Sequence, residues 1–147
     1  MKTMTIKCTA TVLIASALLF SCKKEKSSPS GCDISVTGLS GSYKLTALQY
    51  RESATATPVD YLTYLEDCEK DDIMELKSNG TYTYHDAGTV CQEQTVDHGT
   101  WEVKGNTLTS DGKLQGTIAS YDCKTLVYYV EGALTKGDKL TYTMVKQ

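Results

Sequence analysis

The amino-acid sequence predicts an all-β fold: eight antiparallel strands in up-and-down order, closed into a barrel, with a short helix in the first long connection. Three observations carry this. From Gly41 onward apolar residues alternate with polar ones in short runs, the period-2 pattern of half-buried strands, and long helical periodicity is absent. Most of these runs are joined by tight-turn chemistry, so consecutive strands are neighbours. Eight strands in an open meander would leave two edges free to pair with other chains, and closure into a barrel removes both.

The N-terminus stands apart from that pattern. Lys2 and Lys7 precede an uncharged apolar run from Cys8 to Phe20, which leads into Ser21 and Cys22. This is the order of a cleavable signal peptide, residues 1–21, and the run is shorter than the ~20 residues a helix needs to cross a bilayer. Leu19 three before Cys22 and the small Ser21 just before it resemble the lipobox of bacterial lipoproteins. That resemblance implies Cys22 as the first mature residue, carrying acyl chains on its thiol and its amine. One chain holds a protein reversibly at a membrane, and two or three hold it durably. Residues 22–38 are then an acylated N-terminus and a tether, since Lys23 to Gly31 has almost no apolar content and is the composition of a solvated spacer. The address implied is a lipid anchor in a Gram-negative outer membrane. The basic tether favours a periplasmic-facing position over the cell surface.

Residues 39–147 have the size of one domain. Removing Lys2 and Lys7 with the signal takes the formal net charge from −3 to −5, which gives no electrostatic footprint for nucleic acid.

The strands follow in order. The first spans 42–50 with Tyr43, Leu45 and Ala47 on one face; the second spans 71–77 with Met74 and Leu76; the third spans 81–87 with Tyr82 and Tyr84. Then come 98–103 (Trp101, Val103), 106–110 (Leu108), 114–121 (Gly116, Ile118), 125–131 (Leu126, Tyr128, Val130) and 138–146 (Leu140, Tyr142, Met144). Ser78-Asn79-Gly80, Lys104-Gly105, Asp111-Gly112 and Lys136-Gly137-Asp138 supply the turns. A three-residue loop at 78–80 sets Leu76 opposite Tyr82 and Met74 opposite Tyr84, apolar against apolar, whereas a two-residue turn would set Leu76 opposite Thr83.

The connection at roughly 51–70 is too long to be structureless in a compact domain. Thr57, Pro58 and Asp60 fit an N-cap, a first-turn proline and an acid three residues after the cap, which predicts a helix at about 58–66 presenting Tyr61, Tyr64 and Leu65. It would be either a lid over one barrel mouth or a plug that covers core.

Besides Cys8 and Cys22 the chain has Cys32, Cys68, Cys91 and Cys123. An even set in an oxidising compartment argues for two disulfides. The register of the 78–80 hairpin, extended to its open end, brings Cys68 within one position of the partner of Cys91 and leaves Cys32 for Cys123. A zinc site is the weaker alternative, because no two of these cysteines have the close spacing thiolate sites favour.

Several phrases also resemble a family. Leu39-Ser40-Gly41-Ser42-Tyr43-Lys44-Leu45 looks like the Gly-x-Trp opening of lipocalins, with tyrosine in place of tryptophan. Ile73-Met74-Glu75-Leu76 with Ser78-Asn79-Gly80-Thr81-Tyr82, then Gly99-Thr100-Trp101-Glu102-Val103 and Asn106-Thr107-Leu108-Thr109, resemble the lipocalin-like domain of small bacterial lipoproteins. The resemblance covers about 39–147 and implies an eight-stranded barrel with a ligand lumen, without naming a ligand.

The sequence offers little to catalysis. His85 and His98 are its two histidines, each beside an aspartate at a strand end, and Glu69-Lys70-Asp71-Asp72 reads as a solvated turn. No phosphate-binding glycine loop, nucleophile elbow or paired metal-ligand helix is present, and neither cofactor nor metal is implied. Aromatic residues are more informative: ten Tyr and one Trp. Strand alternation aims Tyr43, Tyr82, Tyr84, Trp101, Tyr128 and Tyr142 to one side, where they either line a site for a small lipophilic or aromatic molecule or simply fill the core. The second case would leave a membrane-tethered module whose outer surface binds another cell-envelope protein. A lumen below about 300 Å3 would favour it.

Overall fold

The structure, a computed structural model, describes residues 32–91 and 97–147. The signal segment, Cys22 and the start of the tether lie outside the described residues. Among the described residues nine strands form one antiparallel sheet: β1 Gly41–Arg51, β2 Val59–Asp60, β3 Ile73–Leu76, β4 Thr81–His85, β5 Asp97–Lys104, β6 Thr107–Ser110, β7 Leu114–Tyr121, β8 Thr125–Glu131 and β9 Lys139–Lys146. β1 and β3 to β9 are eight staves, each paired with the next, and β9 pairs back onto β1 from Tyr43/Lys146 to Arg51/Lys139. The barrel is therefore closed. β2 adds two residues beside the end of β1, through Gln49/Asp60 and Tyr50/Val59, where β3 no longer reaches.

The 78–80 hairpin has the apolar-matched register, Leu76 opposite Tyr82 and Met74 opposite Tyr84. Gly80 takes φ +80°, the left-handed conformation its turn needs. Trp101 closes this turn from the neighbouring strand: its indole N–H donates to the carbonyls of Lys77 and Thr81, both at 3.1 Å. The inward sets are largely those that alternation gives, with two departures, each at a bulge. A bulge between Leu45 and Ala47 reverses the facing of β1, so Leu48 is buried in place of Ala47. A second bulge in β7, between Ile118 and Ser120, brings Tyr121 opposite Leu126 and into the core.

One end of the barrel is sealed by a segment expected to be tether. Cys32 is buried, and α1, Val36–Leu39, is a single turn capped by Ser35, whose Oγ accepts from Gly38 N. Leu39 is fully buried beside Tyr43, and complete burial of such a side chain contributes about 1.5–3 kcal/mol. The Tyr43 hydroxyl donates to Leu39 O at 2.7 Å, and burial holds that hydroxyl far above its ordinary pKa. Tyr121 donates to Gly38 O at 2.7 Å, and Lys146 Nζ reaches both at 3.1–3.4 Å. The Cys32–Cys123 disulfide fixes the segment to the β7–β8 turn. Residues 32–38 thus differ from the solvated spacer because Ile34, Val36 and Leu39 have a barrel end to cover.

The connection from β1 to β3 also departs from expectation. Residues 59–60 pair as β2, and helical structure is confined to one 3-10 turn, Leu62–Tyr64. Tyr61, not Thr57, stands at the N-cap and gives no side-chain cap; Asp60 Oδ1, one residue earlier, accepts from Leu62 N at 3.0 Å. The free edge of β1 captures Val59 and Asp60 as strand, which puts the first turn of the expected helix into extended backbone. Tyr61 tilts against Tyr50 and Tyr64, while Tyr64 stays exposed. Cys68 and Cys91 are bonded to each other at the opposite end from α1.

Candidate functional site

Within the barrel, towards the end opposite α1, lies a cavity of about 200 Å3. Met74 and Leu76 of β3, Tyr82 and Tyr84 of β4, and Trp101 of β5 form one wall. Leu108 and Ser110 of β6, Leu114 and Gly116 of β7, and Tyr128 and Val130 of β8 form the other. The hairpin from β6 to β7 turns back at the level of Thr100, whose carbonyl accepts from Asp111 N at 2.8 Å, well short of the start of β5. The wall is low there, and the cavity meets the surface beside Leu114, which is 56% exposed.

Four of the six aromatic residues expected to line a lumen are gathered here: Tyr82, Tyr84, Trp101 and Tyr128. Tyr142 stands behind Tyr128, the rings stacked with centroids 4.7 Å apart. Tyr43 is not in the lumen wall; it belongs to the sealed end. The difference follows from height along the barrel, which alternation does not specify.

The polar atoms are few and specific. Tyr82 donates its hydroxyl to Asp111 Oδ2 at 2.8 Å, while Asp111 Oδ1 accepts from Thr100 N at 2.7 Å. Those bonds, the backbone one first, hold the Asp111 carboxyl below the usual carboxylate range. Gly99 permits this clamp, because a Cβ there would stand 2.1 Å from Asp111 Oδ1. Burial first, and the neighbouring carboxylate of Asp72 second, push the Tyr84 hydroxyl well above its ordinary pKa. Burial does the same to Tyr128, whose hydroxyl makes no hydrogen bond among the described residues. Gly116 leaves room for the Tyr128 ring, since a Cβ at 116 would already touch its Cδ2 at 3.0 Å.

Asp72 corrects the reading of 69–72 as a solvated turn. It is 9% exposed, and its Oδ1 accepts from Ala87 N at 3.3 Å, while Asp71 Oδ2 accepts from Thr89 N at 3.0 Å. Both aspartates clamp the segment after β4, whose amides have no strand partner. Asp72, Asp111 and Gly116 are the site residues that sequence reasoning passed over. An inward glycine in a strand was a legible sign of close approach; the aspartates carried turn chemistry only.

His85 is half-exposed, with Nε2 3.5 Å from Glu75 Oε2, and His98 is exposed on the same outer face of β4 and β5. Neither joins the lumen. Glu66, Cys68 and Cys91 lie close enough together for a metal, but both cysteines are in the disulfide. Among the described residues no helix is long and apolar enough to cross a membrane.

A closed eight-stranded meander around an aromatic-lined cavity is a barrel of the type that can hold a small ligand, and such barrels generally serve binding. The family model described as lipocalin-like domain matches residues 39–128, from the end of α1 to the middle of β8, and the chain belongs to that family. β9, which closes the barrel, lies beyond the matched stretch. A search of curated proteins finds no match.

Proposed function

We propose that this chain is a membrane-tethered binding protein, anchored through acyl chains on Cys22, whose barrel takes one small aromatic or amphipathic molecule. The observation that carries the binding is the cavity itself, open beside Leu114 and walled by Tyr82, Tyr84, Trp101 and Tyr128. Its size narrows the ligand. At about 200 Å3 it is smaller than the ~300 Å3 at which drug-sized sites begin, yet larger than a ~150 Å3 apolar cavity that accepts benzene. A fatty acid or sterol does not fit whole; one ring with a short substituent does.

Trp101, the sole tryptophan, reports the test directly. Native mass spectrometry of the purified chain, followed by titration with single-ring compounds, is expected to give a bound species or a saturable change in Trp101 fluorescence. A barrel that neither carries nor takes any such compound is not a ligand carrier.

A second reading, a filled-barrel module that binds another envelope protein, has its own support: at about 200 Å3 the lumen lies below the ~300 Å3 under which this reading is favoured. Val59, Tyr64, Val90, Leu114 and Leu134 are the large exposed apolar residues among those described, and all sit on connections or strand ends at the end opposite α1. The anchor would enter at the α1 end, leaving this rim pointing away from the membrane. Site-specific cross-linking from Leu134 that is lost on replacing Val59 and Tyr64 by Ser would favour this reading.

A further inference from the structure

Lumen charge limits what the ring can carry. Tyr82, Tyr84, Trp101 and Tyr128 present aromatic faces, which attract cations. Carboxylates stand behind two of them: Asp111 at 2.8 Å from the Tyr82 hydroxyl, and the buried Asp72 beside the Tyr84 hydroxyl. Glu69 and Asp86 add negative charge near Tyr84 from the flanking connections. One carboxylate oxygen on each of Asp71 and Asp86 is buried without a hydrogen-bond partner among the described residues. None of the residues lining the cavity carries a positive charge, and Lys113, on the same turn as Asp111, is exposed.

We infer that the lumen selects a protonated amine on a small aromatic ring, the ring lying among Tyr84, Trp101 and Tyr128 and the ammonium directed to the Asp72 and Asp111 side. The inference rests on the small-ligand reading above and adds the sign of the ligand's charge. An ammonium entering a low-dielectric pocket loses hydration, and nearby carboxylates with aromatic faces offset that loss. A carboxylate-bearing ligand meets repulsion in the same place. A neutral ring gains the burial without the pairing.

Three probes of nearly equal size separate these cases: 2-phenylethylammonium, 2-phenylethanol and phenylacetate, titrated into the purified full chain at pH 7 by calorimetry and Trp101 fluorescence. The ammonium is expected to bind at least about tenfold more tightly than the alcohol, as a charge pair at effective dielectric ~20 allows, and the acetate more weakly than the alcohol. Raising the salt should reduce the ammonium's advantage. Asp111→Asn, on an exposed turn, and Asp72→Asn should each cut the ammonium-to-alcohol affinity ratio to about twofold to threefold, and Asp111→Asn suffices if loss of Asp72 unfolds the barrel. Alcohol equal to or tighter than ammonium, or acetate tightest, overturns the amine assignment and leaves the small-ring reading standing. No binding by any probe to a folded barrel overturns both.

Discussion

Tyr128 and Tyr142 lie face to face across β8 and β9, ring centroids 4.7 Å apart and planes 3° from parallel, so the lumen is walled on this side by a layer two rings thick. Such a pair contributes about 0.5–1.5 kcal/mol beyond the area it buries. Gly116 touches the other side of Tyr128, and together they fix where the cavity ends.

Three substitutions at this layer are expected to separate packing from binding. Tyr128→Ala loses both ring and stack and should cost about 3–5 kcal/mol in urea unfolding. Tyr128→Phe keeps the stack and removes a hydroxyl that makes no hydrogen bond among the described residues, so stability should stay close to that of the unchanged chain. If a ligand uses that hydroxyl, affinity falls about threefold to tenfold, the worth of one hydrogen bond. Gly116→Val should push the Tyr128 ring into the lumen, cost about 1–3 kcal/mol and exclude ring ligands.

The two disulfides should differ in worth. Cys32–Cys123 closes a sequence separation of 91 and Cys68–Cys91 one of 23, for which loop-closure entropy gives about 4.6 and about 3.4 kcal/mol. Replacing Cys32 and Cys123 by Ser is therefore expected to lower the denaturation midpoint more than replacing Cys68 and Cys91. It should also speed amide exchange at Gly38 to Ser40, since α1 loses its covalent hold. Equal losses for the two pairs would show that native-state effects outweigh chain entropy.

Acid should weaken the barrel through particular carboxylates. Burial alone would raise the Asp138 pKa, but the amides of Thr135, Leu134 and Ala133 outweigh it and lower it; Asp111 is lowered chiefly by Thr100 N, and Asp122 by the amides of Thr125 and Lys124. A depressed folded pKa means stability that is fully present above the unfolded value and lost as pH falls through the folded one. Thermal midpoints should be flat above about pH 5 and drop below about pH 4. Asp138→Asn should lower stability at neutral pH and flatten that drop, as melts from pH 7 to pH 3 will show.

The anchor has a simple readout. Cys22→Ser is expected to abolish acylation and release the protein from membranes. A mutant that still fractionates with membranes and carries acyl groups rules the lipid anchor out.

What the sequence determined by itself was the set of local and pairwise preferences. Alternation set the staves, since a half-buried strand must place apolar residues two apart, and Ser78-Asn79-Gly80 set a register that matched Met74 and Leu76 with Tyr84 and Tyr82. That register, carried outward, gave the Cys68–Cys91 and Cys32–Cys123 pairing. Only the tertiary structure decided heights and partners that no local pattern encodes. The bulge after Leu45 exchanged Ala47 for Leu48, and the free edge of β1 drew Val59 and Asp60 into a strand and shortened the helix to Leu62–Tyr64. The sealed barrel end recruited Leu39, and with it Tyr43, away from the lumen. Asp72 and Asp111 carry the same turn signature as any surface aspartate; Asp111 meets Tyr82 only because β5 lies between their strands and the β6–β7 turn folds back at Thr100, and Asp72 comes beside Tyr84 where the β3–β4 hairpin packs.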